Sequence, residues 1–236
     1  GVLDGAAAKP LADAARRRAP VTFVCRSRPL PGSVSWNVEA ALPGDPTRQV
    51  VVVAHYDTVY GSPGANDNAA SCAVLPALAA RLAGTRNGRR PTLRLLATGA
   101  EEIDLQGARC WVRDLLWRGD GAGIRLALNF DSLTWGDRLQ IGVSANAESF
   151  LPVLEGALGT AALGAYARSW ERVRLGEGVD SAVFAAAAVP TLNVNTAGDP
   201  DTVALWHTPE DTVDRVPWAR VEDAVEVFGS FLEQLD

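Results

Sequence analysis

Three short apolar runs of the chain end in the same way, on side chains that carry acid or imidazole. QVVVVAHYD (49–57) is continuously β-branched and apolar, the pattern of a strand buried on both faces of a mostly parallel sheet, and it closes on His55 and Asp57. TLRLLAT (92–98) leads into Glu101 and Glu102, and RLALNFDS (125–132) closes on Asp131. Between and around these runs the pattern switches to helical spacing. It predicts an Ala- and Arg-rich helix over 6–18, an Ala/Leu-rich helix over 68–82 that stops at Gly84, and a helix of about 12 residues starting at the acidic pair. VTFVCRS (21–27) and SWNVEAAL (35–42) read as two strands joined across the Pro/Gly cluster at 29–32. Downstream, the pattern predicts a strand at 138–143, a helix at 147–158 and a loop with a helix through 180–187. The strand PTLNVN (190–195) and a closing helix at 217–235 follow. Strands alternating with helices imply an α/β three-layer sandwich: a central, mostly parallel mixed sheet flanked by helices, in a single domain over 1–236.

Composition narrows the function. The 236 residues are 47% apolar and 21% charged with a net charge of −6, an ordinary globular mixture. The isoelectric point near 5.0 and arginines scattered among acids exclude a phosphate-backbone binder. Nothing approaches the roughly 20 apolar residues of a membrane span, so a soluble acidic protein is expected. Cys25, Cys72 and Cys110 are an odd number without CxxC spacing, which predicts free thiols. The absence of methionine suggests that residue 1 is not a native start and that a leader has been lost.

In open α/β sheets, sites gather at the carboxyl ends of the strands. Those ends carry His55, Asp57, Glu101, Glu102 and Asp131; Asp67 lies in the loop after the first strand, and His207 in the loop before the last helix. Each residue has a plainer explanation: a core-edge histidine, acids complementing a helix dipole, or a turn or cap aspartate. Together they make a cluster of carboxylates that would repel one another unless a cation lay between them, and no lysine or arginine adjoins these positions. A pair of divalent metals suits such a mixed His and carboxylate set. Only two histidines, His55 and His207, are available to it.

The strings that carry these residues resemble, in order, the motifs of the M28 zinc peptidases, the co-catalytic aminopeptidase family: HYD (55–57), GANDNAAS (64–71), TGAEEIDLQGA, NFDS (129–132) and WHTPEDT (206–212). The resemblance runs from about residue 36 to the C-terminus. It implies a zinc-dependent exopeptidase fold with two zinc ions. His55 and Asp131 would bind one ion, Glu102 and His207 the other, Asp67 would bridge both, and Glu101 would be the general base. Asp57 would hold ligand geometry from outside the metals. The implied reaction is hydrolysis of the N-terminal bond of peptides with a free amine, and the implied setting an exported or cell-envelope one. GEGVDSAVF (176–184) departs from the family's Ser-Asp-His segment, which leaves open what anchors substrate near Asp180; Arg172 and Arg174 could reach that loop but read as surface residues. Trp135, Trp170 and Trp206 read as packing, Trp206 having the best claim to the pocket. Two rivals are a single-zinc enzyme like glutaminyl cyclase and a peptide-binding module without catalysis.

Overall fold

A computed structural model describes residues 5–22, 24, 26, 28, 30–84, 90–160, 170–198 and 200–235. The chain divides into two units, residues 1–34 and 35–236. In the first, helix α1 spans Gly5–Arg16. The expected strand at 21–27 is absent at its described positions 21, 22, 24 and 26, while 23, 25 and 27, and Cys25 with them, lie outside the described residues. Cys72 and Cys110 are free.

The second unit runs β1 (Val38–Leu42), β2 (Asp45–His55), α2 (Ala70–Ala83), β3 (Pro91–Thr98), α3 (Gln106–Arg118), β4 (Ile124–Phe130), β5 (Gly136–Val143), α4 (Leu151–Thr160), β6 (Trp170–Val173), α5 (Asp180–Ala186), β7 (Thr191–Gly198), α6 (Pro200–Val203) and α7 (Trp218–Glu233). Its seven strands form one mixed sheet in the order β1-β3-β2-β4-β7-β5-β6. The central strands β3, β2, β4 and β7 are parallel neighbours, whereas β1 and β5 pair antiparallel with β3 and β7. His55 lies opposite Thr98, and Val53 opposite Asn129, so the carboxyl ends of β2, β3 and β4 share one edge.

β2 is a strand because it can be buried on both faces. Val50 and Val52 pack under α2, α4 and α7 with Leu78, Leu154 and Phe228. Val51 and Val53 face the opposite layer, where Trp111 of α3 and Phe184 of α5 meet them. All four valines are essentially inaccessible, and burying each contributes roughly 1.5–3 kcal/mol. Among the described residues no helix is long and apolar enough to cross a membrane.

The elements differ from the sequence expectation where local turns intervene. β2 ends at His55, so Asp57 lies beyond the strand. The helix expected at 68 begins at Ala70, because residues Ala65–Ala69 form a wider π-type turn after Gly64. Gly64 has φ +66°, and a Cβ there would fall 2.6 Å from the Cβ of Thr58, so only glycine fits. β6 falls where the pattern predicts loop: its four residues, WERV, are at most partly buried and lack the alternation that marks a strand.

Candidate active site

At the edge shared by β2, β3 and β4, a cavity of about 340 Å³ is lined by His55, Asp67, Glu101, Glu102, Asp131 and His207, while Asp57 does not line it. His55 emerges from β2 with Nδ1 3.0 Å from the main-chain oxygen of Asp57. That contact assigns the Nδ1 proton to the carbonyl and aims Nε2 at carboxylates: 3.2 Å from Asp67 Oδ1 and 3.9 Å from Asp131 Oδ1. Asp57 turns its carboxylate away from the cavity to accept the backbone N–H groups of Glu101 (3.0 Å) and Glu102 (3.2 Å). One acid thus fixes the main chain of two others.

Glu101 and Glu102 do not begin a helix. They lie in a turn that ends at α3 only at Gln106, so they complement no helix dipole. Nor does a helix follow Asp131, where a bend leads to β5. Ala100, Ser132 and His207 adopt left-handed backbone, with φ +57°, +52° and +60°. Two of these flank the acids and the third is the second histidine itself. Such conformations cost about 1–3 kcal/mol each and persist where surrounding structure enforces them.

Asp67 is the centre of the cluster. While Oδ1 faces His55, Oδ2 lies 3.1 Å from His207 Nε2, which is in turn 3.2 Å from Glu102 Oε1. Its turn is held from both sides. Asp211, fully buried, accepts from the backbone N–H groups of Asn66 and Asp67 and from Asn66 Nδ2. Asn68 donates to the Phe130 carbonyl and accepts from Ser132 N. The asparagines of GANDNA therefore clamp the turn, and the aspartate of HTPED fixes it across the fold. The last of these was visible in the sequence only as part of a motif.

The carboxylates raise one another's proton affinity. Burial pushes Glu101 up to about 9, with Asp131, Asp180 and Glu102 adding to the effect and His55 opposing it. Glu102 is raised by burial and by Asp67. Burial would lower His55, but hydrogen bonds to Asp131 and Asp67 and the charges of Asp131 and Glu101 push it up to about 12. Burial is the largest single influence on Asp67 and opposes its charge, yet the hydrogen bond and charge of His55, the Trp206 hydrogen bond and the His207 charge together outweigh it and hold the carboxyl below its usual range. Asp180, at the start of α5, is raised to about 6 by burial, although Thr98 Oγ1 donates to it. Such a site holds protons when nothing else is cationic. The residues also fall into two metal-sized sets, His55/Glu101/Asp131 and Asp67/Glu102/His207, each with ligand atoms within 4.8 Å of one another. Glu102 Oε1 is buried with no hydrogen bond. A hard or borderline divalent cation fits this donor set.

Trp206 corrects the packing interpretation: its indole Nε1 donates to Asp67 Oδ2 at 2.5 Å and its ring stacks on His207. Trp135 lines the cavity, whereas Trp170 packs against the core. Arg172 and Arg174 pair with Glu148 and Glu177 on the surface and do not line the cavity.

The model of Peptidase family M28 matches residues 37–232, and the chain belongs to that family. It is 29% identical over 184 residues to aminopeptidase YwaD of Bacillus subtilis (strain 168), a match covering 74% of this chain and 38% of YwaD. Over 105 residues it is 36% identical to leupeptin-inactivating enzyme 1 of Streptomyces exfoliatus, covering 43% of this chain and 23% of that protein. BSAP, a zinc aminopeptidase from Bacillus subtilis, superposes with a TM-score of 0.70 at 25% identity, over 83% of this chain and 48% of BSAP. A glutaminyl cyclase from an Acidobacteriales bacterium shares the fold, with a TM-score of 0.68 at 23% identity over 83% of this chain and 72% of the cyclase. The chain thus spans less than half the length of YwaD and of BSAP.

Proposed function

We propose that the chain is a zinc-dependent aminopeptidase that hydrolyses the N-terminal bond of peptides at a two-zinc site, with Glu101 as general base. The observation that carries this reading is Asp67. Its two carboxylate oxygens face two different histidines, and each histidine has a further carboxylate of its own, Asp131 beside His55 and Glu102 beside His207. The site fits two cations that share one aspartate. His55 and Asp131 would hold one, Glu102 and His207 the other.

Zinc in such a site acts as a Lewis acid on the scissile carbonyl and brings the pKa of a water toward about 7. The remaining work falls to the chain. Glu101 is buried beside the cluster, where burial and the neighbouring carboxylates hold its proton in the metal-free fold; cations bound among those carboxylates would offset the repulsion and free it to act as a base. It accepts a proton from the attacking water and delivers it to the departing nitrogen as the new C–O bond forms and the C–N bond breaks. The products are a free amino acid and a peptide one residue shorter. Asp57 keeps Glu101 and Glu102 in register through their N–H groups. The carboxylate-rich wall suits a free α-ammonium, which sets the cleavage point one residue from the end.

A panel of aminoacyl-anilides with a free amine tests the activity. Release of the anilide by the zinc-loaded chain, lost on chelation and restored with zinc, is expected; no release from any member of the panel would contradict the reading. The cyclase fold match covers the larger share of its partner, which gives a second reading, a single-zinc glutaminyl cyclase. That enzyme would convert a glutaminyl-anilide to the pyroglutamyl form with loss of ammonia and no release of the anilide.

Zinc should also stabilise the fold more as pH rises. His55 keeps its proton up to about 12 in the metal-free fold, so the stabilisation it contributes is complete below its usual 6.5 and falls progressively as pH rises from there toward about 12. Glu101, raised to about 9, stays neutral in the fold while the unfolded chain ionises it from 4.5, which also weakens the metal-free fold as pH rises. The lowered value of Asp67 acts only at more acidic pH. Protons compete less for the ligands over the same range. The zinc-induced rise in Tm is therefore expected to be larger at about pH 8 than at about pH 6, read by thermal melts with and without zinc; a rise that shrinks with pH would contradict the assignment.

A further inference from the structure

The segment 206–211 does more than deliver His207. Asp211 pins the backbone of Asp67 through its N–H group at 3.2 Å. Trp206 pins the other end, its indole N–H donating to Oδ2 at 2.5 Å. The same indole lies 4.1 Å, centroid to centroid, from the His207 ring with a 34° tilt. The left-handed backbone of His207, φ +60°, accompanies this folding of its ring against its own neighbour. One side chain thus touches two of the three members of the Asp67/Glu102/His207 set.

His207 Nε2 also approaches Oδ2, at 3.1 Å. If that nitrogen ligates a metal it has no proton to donate, and of these two donors only the indole remains. An indole N–H does not ionise near neutral pH, and it has no acceptor capacity with which to compete for the cation. Outer donors of this kind fix the orientation of a ligating carboxylate.

We propose that Trp206 is a positioning residue for zinc in the Asp67/Glu102/His207 half of the site, holding the Asp67 carboxylate through its N–H and the His207 ring through stacking. The proposal rests on the zinc reading above, but not on the number of ions. It predicts that Trp206→Phe, which keeps an aromatic ring and loses the donor, binds zinc about 10- to 100-fold more weakly, the range for loss of an outer partner. Trp206→Leu, which loses both contacts, should be weaker still.

The test uses the full chain and zinc alone, titrated in competition with a chromogenic chelator, with circular dichroism to verify folding. Trp117, 91% exposed on α3, supplies the control: Trp117→Phe should match the parent. Where the parent binds two ions, the loss in Trp206→Phe should be larger for one of them, because the indole donates to Oδ2, which faces His207, while Oδ1 faces His55; general loosening of the fold would not produce that selectivity. Equal zinc affinity in the parent and a folded Trp206→Phe overturns the proposal, as does equal weakening of two bound ions. Should Trp206→Phe fail to fold, the parent decides: its tryptophan emission should change on zinc loading, and an unchanged emission counts against the proposal. One ion per parent chain would defeat the two-zinc reading while the affinity comparison still decides the role of Trp206. A parent that binds no zinc overturns both.

Discussion

Glu101→Gln is expected to retain the zinc content of the parent chain and to lose on the order of 10²- to 10⁴-fold in kcat, the range for removing a general base. The substitution keeps the size of the side chain and leaves untouched the backbone N–H that Asp57 accepts. Its effect should therefore fall on proton transfer alone, with little change in KM. Metal analysis beside steady-state kinetics on an aminoacyl-anilide separates the two outcomes. Loss of zinc would mean that Glu101 is a ligand and that base and ligand have been exchanged, a real alternative because Glu101 also lies in a metal-sized set with His55 and Asp131. Unchanged turnover would remove Glu101 from the mechanism.

Asp67→Ala should have the largest effect on the metals. It removes the carboxylate that, among the described residues, pairs with both histidines. Zinc binding is expected to weaken by more than the 10- to 100-fold typical of an outer partner, with turnover falling below detection. The backbone N–H of Asp67 and its acceptor on Asp211 remain, so the turn itself should survive. Retention of the parent's zinc content and activity would refute the bridging role.

Much of this was legible in the chain because the central strands are extreme cases. β2 reads as a strand buried on both faces since four consecutive valines leave no polar face, and the parallel order follows from its alternation with helices. That the acids and histidines meet follows from where parallel strands end. The offsets were not legible. Ala100, Asp104 and Leu105 adopt left-handed backbone without being glycine, so nothing in their identity announces that α3 starts four residues after Glu102. The run from 49 continues to Asp57, but the strand ends at His55, and it is this release that lets Asp57 reach across to the next loop. Asp211 and Trp206 act on Asp67 across more than a hundred residues, through hydrogen bonds that no local pattern encodes. β6 escaped because a short, half-buried strand of mixed charge has no period to read.

Zinc stoichiometry tests most directly whether Asp67 joins two ions. The purified chain, loaded with zinc, cleared of loose metal and analysed for zinc against protein concentration, should carry two ions per chain. One ion per chain, with no second site in the titration, would contradict the claim and favour the single-zinc cyclase.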